Sequence, residues 1–313
     1  MATKSNIGYL PYLRLKILAT CVRLAVKILS YTRLRRDKLL NQSRQVCVET
    51  LRIPSRNPGR FIKADLYSPD SIDSSKPILI NWHGSGFILP MHGMDRVFCA
   101  HVARQAGIYV LDADYRKSPE TPFPGPLEDA EDVTRWVSAQ TNRFDKARMA
   151  VSGFSAGATI ALATAVGSHR SLGITFSVAV VLYPFTDMSI VPEAKTVANP
   201  IKPLPPYVAN IFNDSYVFDK SLRSDSRASP ALADPEDFPA TVGIMTCEGD
   251  ILEPEGHALA MKLEVGGRRV SLKEMKGVPH AFETGAVEGT PEWQKREEAY
   301  AWAVEVLKSA LHV

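Results

Sequence analysis

Hydrophobic and polar positions along this chain follow two periods. From Val46 to Ile53 and from Phe61 to Tyr67 the period is close to two, with polar turns, one carrying Pro58-Gly59. That pattern predicts a pair of antiparallel strands. Further on, short apolar runs recur at Pro77–Trp82, Ile108–Asp112, Met149–Val151, Val178–Leu182, Val242–Thr246 and Val270–Met275. Between them lie stretches of helical character: Asp95–Gln105, a segment ending at Trp136, the small residues Ala156–Ala163, Glu255–Leu263 and Glu292–Leu311. Uninterrupted apolar strands alternating with helices imply a sheet buried on both faces. The expected class is α/β, with a mostly parallel sheet of about eight strands.

Two segments stand outside this alternation. Residues 8–36 place Lys16, Thr20, Arg23, Lys27 and Ser30 three or four apart, one polar helical face, while Ile17, Cys21, Leu24, Val26 and Ile28 fall mainly elsewhere. Charges every few positions exclude a spanning helix, and the interrupted apolar stretch fits a signal peptide poorly. A helix covering the body, a helix lying on a membrane surface and a cleaved segment remain as readings. The second segment is the span of about sixty residues between Val178–Leu182 and Val242–Thr246, too long for an ordinary connection. It holds the proline-rich 200–206 and the aromatics Tyr207, Phe212, Tyr216 and Phe218. A helical lid above the end of the sheet is its simplest use.

Charge sharpens the picture of the N-terminal arm. Residues 1–63 carry fourteen Lys and Arg against Asp37 and Glu49, whereas the rest of the chain is acidic, leaving the whole at +3. A basic arm on an acidic body suits an anionic membrane surface or docking onto that body; without an aromatic-interleaved basic patch, nucleic acid is not expected. With 313 residues, 45% of them hydrophobic, the chain fits one large domain. Cys21, Cys47, Cys99 and Cys247 match no zinc spacing and read as free thiols of a reducing, cytoplasmic compartment, where the sequons at Asn41 and Asn213 carry no weight.

Candidate chemistry centres on Gly153-Phe154-Ser155-Ala156-Gly157, a Gly-x-Ser-x-Gly stretch between an apolar strand and a run of small residues. Strand, sharp turn and helix would project the Ser155 hydroxyl from the end of the sheet, in front of a helix N-terminus. A serine nucleophile needs a base within hydrogen-bond reach and a carboxylate to orient that base. On such a sheet they follow in the order serine, acid, histidine. Asp250 lies just after the strand ending at Cys247, and His280 lies after the last strand, in Gly277-Val278-Pro279-His280. His83, His92 and His101 precede the serine, His169 follows it by one helix, His257 is within a helix, and His312 is terminal. Asp250 competes with Glu248, Glu253 and Glu255, the latter two reading as acids that open a helix. The N–H of Ala156, with N–H groups from the His83–Gly86 loop, would hold an oxyanion.

Taken together, His83-Gly84-Ser85-Gly86-Phe87, Asp114-Tyr115-Arg116 with Pro119-Glu120, Phe123-Pro124, Asp129, the Ser155 elbow, Ser229-Pro230, Gly249-Asp250-Ile251-Leu252 and His280-Ala281-Phe282 resemble the hormone-sensitive-lipase-like esterases, the α/β-hydrolase group with a His-Gly-Gly-Gly motif. The resemblance implies an α/β-hydrolase fold and a triad of Ser155, His280 and Asp250. It also implies an oxyanion hole from the backbones of Ser85, Gly86 and Ala156, and a cap built from about residues 1–45 and 186–228. Asp114 to Glu120 would brace the site. Two departures stand out: Ser85 replaces the second glycine of the family's run, and Ala281 follows the histidine where glycine is usual. The implied activity is hydrolysis of small to medium hydrophobic carboxylic esters through an acyl-enzyme, without metal or organic cofactor. Acyl transfer or cyclisation, lactone or amide hydrolysis and non-catalytic small-molecule binding are the rival readings. Peripheral membrane contact through the basic arm is compatible with all of them.

Overall fold

The computed structural model describes residues 7–43, 46–69 and 76–313, and all side chains among them except those at 41–43 and 169–170. The side chains of the Asn41 sequon and of His169 therefore lie outside what is described. Helix α1 spans Tyr9–Ser43, followed by the antiparallel pair β1 (Cys47–Pro54) and β2 (Phe61–Ser68). Then come β3 (Ile78–Trp82), α2 (Arg96–Ala106), β4 (Tyr109–Ala113), α3 (Gly125–Ala139), β5 (Met149–Phe154), α4 (Ala156–Leu172) and β6 (Val178–Leu182). An irregular stretch broken by short 3₁₀ turns and one helix, α5 (Pro206–Tyr216), leads to β7 (Thr241–Cys247), α6 (Glu253–Val265), β8 (Arg269–Met275) and α7 (Pro291–Leu311). Each strand read from the apolar pattern forms within a residue or two of its expected bounds, save β5, which runs on to Phe154 at the elbow.

The eight strands make one sheet in the order β1-β2-β4-β3-β5-β6-β7-β8. Strand β2 is antiparallel to β1 and β4, and β3 to β8 are mutually parallel. Successive side chains on a strand point to opposite faces, which divides each apolar run between two cores. Ile78, Ile80 and Trp82 of β3 and Val151 of β5 pack under α3, α4 and α6; Leu79, Ala150 and Phe154 pack on the other face with α2 and α7. This is the α/β-hydrolase architecture, and the strand order reverses beside β3, so the loops after β3 and β5 diverge and leave a crevice at the C-terminal edge.

Helix α1 packs against α2 and α5 with a face that mixes the polar and apolar positions of its pattern. Ile17, Cys21, Leu24 and Ile28 are exposed, while Ser30 of the expected polar face is buried. Arg23 of that face turns inward, its guanidinium forked onto Glu120 at 2.7 and 2.8 Å and donating to the carbonyls of Ile88 and Ser118. The docked face instead carries Leu15, Ala19, Val26, Ser30 and Asp37. Specific polar contacts to the body decided which side faces in. Of the cysteines, Cys21 and Cys47 are exposed and Cys99 and Cys247 are buried, all as free thiols.

Candidate active site

Ser155 stands between β5 and α4 at φ 51°, a left-handed backbone conformation that L residues adopt only where the surroundings enforce it. Close packing enforces it here. A Cβ on Gly157 would lie 2.0 Å from the Trp82 carbonyl oxygen and 2.6 Å from that of His83, so only glycine lets α4 start this close to the end of β3. The serine is thereby lifted off the sheet edge.

Sequence placed Asp250 and His280 on loops after β7 and β8, and folding brings both to Ser155. His280 Nδ1 donates to Asp250 Oδ2 at 2.6 Å, and Nε2 is 2.9 Å from Ser155 Oγ, so in the neutral ring Nε2 accepts the hydroxyl proton. Asp250 is buried and also accepts the N–H of Leu252 at 3.1 Å. Burial pulls the His280 pKa down, but the Asp250 charge and hydrogen bond, helped by the Glu283 charge, outweigh it and leave His280 raised above an ordinary histidine. The competing acids act elsewhere. Glu248 accepts the N–H of Gly277, and Glu253 lies 3.3 Å from His257. Glu255 corrects the expectation of a simple helix-opening acid: it is buried, accepts the Thr186 N–H at 2.7 Å and pairs with buried Lys195, tying the stretch after β6 to α6.

The backbones of Ser85, Gly86 and Ala156 line the same cavity as Ser155 and His280. Among the described residues, no hydrogen bond takes up the N–H of Gly86 or Ala156, which leaves two donors at the head of α4 and the end of β3. Gly86 has φ 52°, and a Cβ there would meet the Phe212 ring at 2.7 Å. Ser85 keeps a negative φ, and its hydroxyl is engaged by Tyr115. Tyr115 Oη donates to the His83 carbonyl at 2.7 Å, so Ser85 Oγ donates to Tyr115 Oη at 2.6 Å. The second departure carries strain: Ala281 sits at φ 55°, where glycine would rest freely.

The polar residues from Asp114 onward brace this arrangement. Asp114 accepts from Lys117 at 2.7 Å and faces His83 at 3.4 Å, and the fully buried Asp129 holds Arg60 and Arg116. What the sequence reading missed is a second carboxylate behind His280. Tyr183, after β6, packs edge-on to the His280 ring with centroids 4.7 Å apart, and its hydroxyl donates to buried Glu283 at 2.6 Å. Nothing local marks this pair, because its partners are a hundred residues apart.

The cavity over Ser155 holds about 270 Å³ and is walled by Val26 of α1, Met91, Met94, Phe185, Leu204 and Phe212. Of the aromatics in the expected lid, Phe212 covers Gly86, Tyr216 stacks on Phe87 at 3.9 Å, and Tyr207 is exposed.

Comparison with known proteins bears on what such a site does. Residues 79–284 match the profile of a family described as having the alpha/beta hydrolase fold. An ethyl acetate hydrolase of Pseudomonas putida is 29% identical over 242 residues, covering 75% of this chain and 76% of that protein. A carboxylesterase of Mycobacterium tuberculosis, NlhH, is 29% identical over 247 residues, covering 74% and 76%. A solved esterase of Pyrobaculum calidifontis superposes with a TM-score of 0.76 at 27% identity, covering 91% of this chain and 94% of that one.

Proposed function

Given that the chain belongs to the hormone-sensitive-lipase-like esterases of the α/β-hydrolase fold and is a carboxylic ester hydrolase, we propose that Ser155, His280 and Asp250 are its catalytic triad. We propose likewise that Ser85, Gly86 and Ala156 form the oxyanion hole. The observation that carries the reading is the unbroken hydrogen-bonded line from Asp250 through His280 to Ser155 beside two unused backbone donors. Ser155 attacks the ester carbonyl as His280 Nε2 takes its proton, and the oxyanion lies against the free N–H groups. Asp250 steadies the imidazolium. His280 returns the proton to the leaving alcohol, then activates water to release the acid from the acyl-enzyme. The apolar walls and modest volume suit small to medium hydrophobic esters. Helix α1 and residues 186–228 act as a cap in this reading, since Val26, Leu204 and Phe212 roof the cavity.

Labelling with a fluorophosphonate and mass-mapping of the adduct tests the assignment. A stoichiometric adduct on Ser155, lost in His280→Ala, is the expected result. An adduct on another residue, or none on folded protein in which the ester substrates still turn over, would remove Ser155 from its role.

The electrostatics give a second expectation. His280 must be neutral to act as base, and its pKa is raised, so kcat/KM rises with pH along a limb centred above about 6.5, the ordinary histidine value. The negative charge of Glu283 favours the protonated ring; Glu283→Gln removes that charge and moves the limb to lower pH. A pH–rate profile of both proteins on one soluble ester checks the sign. A limb that stays put or moves upward contradicts it.

A further inference from the structure

The outward face of α1 is apolar as well as its docked face. Leu10, Leu13, Ile17, Leu24, Ile28, Tyr31 and Leu39 are exposed and lie three, four, seven, four, three and eight residues apart. At 3.6 residues per turn these intervals keep all seven within about a third of the helix circumference. Thr20, Cys21 and Arg35 fill the gaps and are exposed too. The stripe therefore runs about 43 Å at 1.5 Å per residue. Along one edge Lys16, Lys27 and Lys38, each eleven residues from the next, are exposed, and Arg14 stands exposed on the other edge. Asp37, the helix's one acid, is buried on the opposite side. At the N-terminal end the patch continues onto α5, where exposed Tyr207 shares a groove with Leu10, Arg14 and Asp214, whose charge is paired with Arg223.

A long apolar stripe rimmed by cations, on a helix that itself carries no exposed acid, matches the requirements of a helix lying in the plane of an anionic bilayer. Apolar side chains enter the acyl boundary and lysines reach lipid phosphates. No helix among the described residues is long and apolar enough to cross a membrane, so the helix would rest on the surface. An apolar patch this size costs solubility when left in water, and the charge on its rim selects an anionic lipid surface over a neutral protein groove. The inner side of the same helix lines the cavity above Ser155 through Val26 and Arg33. We infer that the outer face of α1 docks this enzyme on anionic membrane surfaces, which sets its catalytic cavity against the bilayer and gives it access to hydrophobic esters dissolved there. The docking stands by itself; the access to dissolved esters rests on the site proposed above.

Co-sedimentation with phosphatidylcholine vesicles containing about 30% phosphatidylserine, compared with pure phosphatidylcholine, tests the docking. Wild type should pellet with the anionic vesicles, and should be released by raised salt. Lys16→Gln/Lys27→Gln/Lys38→Gln should weaken partitioning about 100-fold. Ile17→Glu/Leu24→Glu/Ile28→Glu should abolish it while a soluble ester is turned over at an unchanged rate, since none of these side chains lines the cavity. Absence of pelleting by wild type at low salt overturns the inference. So does a concentration-dependent dimer, seen by light scattering and broken by the same Glu substitutions, in protein that ignores vesicles. Turnover of the soluble ester and fluorophosphonate labelling report on the triad independently of either result.

Discussion

Ser155→Ala is expected to lower kcat on a soluble test ester such as p-nitrophenyl butyrate by about 10⁵- to 10⁶-fold, with KM and thermal stability little changed. In the proposed mechanism the hydroxyl oxygen is the attacking atom, and a methyl in its place offers no lone pair to the carbonyl. His280→Ala should cost a similar factor, because without Nε2 the hydroxyl keeps its proton. The double variant should be no worse than either single one, since the two side chains serve one step. Asp250→Asn should fall about 10⁴-fold, as an amide cannot hold the ring in the tautomer that leaves Nε2 free. Residual activity within tenfold of wild type in a freshly purified Ser155→Ala sample would sink the triad. Loss in the single variants that multiplied in the double one would argue for two separate functions.

Gly157→Ala is the second large effect, and it acts through the fold. The added Cβ lands on carbonyl oxygens of Trp82 and His83, which are backbone in a fully buried strand end and cannot swing aside as a flexible side chain would. Relief requires α4 to move off β3, which disturbs the Ser155 turn and the Ser85–Gly86 loop together. A loss of more than about 4 kcal/mol is expected, enough to abolish soluble expression or lower Tm by tens of degrees. Gly167→Ala, in the same helix but with nothing within 4 Å of its Cβ, is the matched control. It should be neutral or stabilise by up to about 1 kcal/mol. Thermal melts followed by circular dichroism separate the two. A Gly157→Ala protein melting within a few degrees of wild type would mean that the elbow is not held by this contact.

The elements and the chain order of the three residues proposed as the triad were legible without coordinates. Runs such as Val178–Leu182 specify a buried strand because period and length are local properties of a chain. The order of Ser155, Asp250 and His280 specifies a site because parallel strands put their following loops at one edge. The glycines at 153 and 157 announced a close approach, and the structure supplies its partners, β3 and the backbone of residue 157 itself. The orientation of α1 was not legible. Helical period shows which residues share a face, but both faces of α1 carry apolar side chains, and the choice between them fell to Arg23 finding Glu120 across 97 residues of sequence. Local pattern set Ile17, Leu24 and Ile28 apart from the polar face without fixing which side is covered, and tertiary contacts turned them out.

Pairings of distant residues follow the same division. Glu255 looked like a helix-opening acid until folding buried it beside Lys195, and neither Glu283 nor Tyr183 stood out before they met behind His280. The hydroxyl that Ser85 adds in place of the family's glycine is held by Tyr115, thirty residues away. By itself the sequence determined the strands, the helices and the chain order of the three residues proposed as the triad, because periodicity and chain order are written locally. Tertiary structure alone decided which face of α1 turns outward and which carboxylates surround His280. Those outcomes depend on burial and on charges brought together from far apart in the chain.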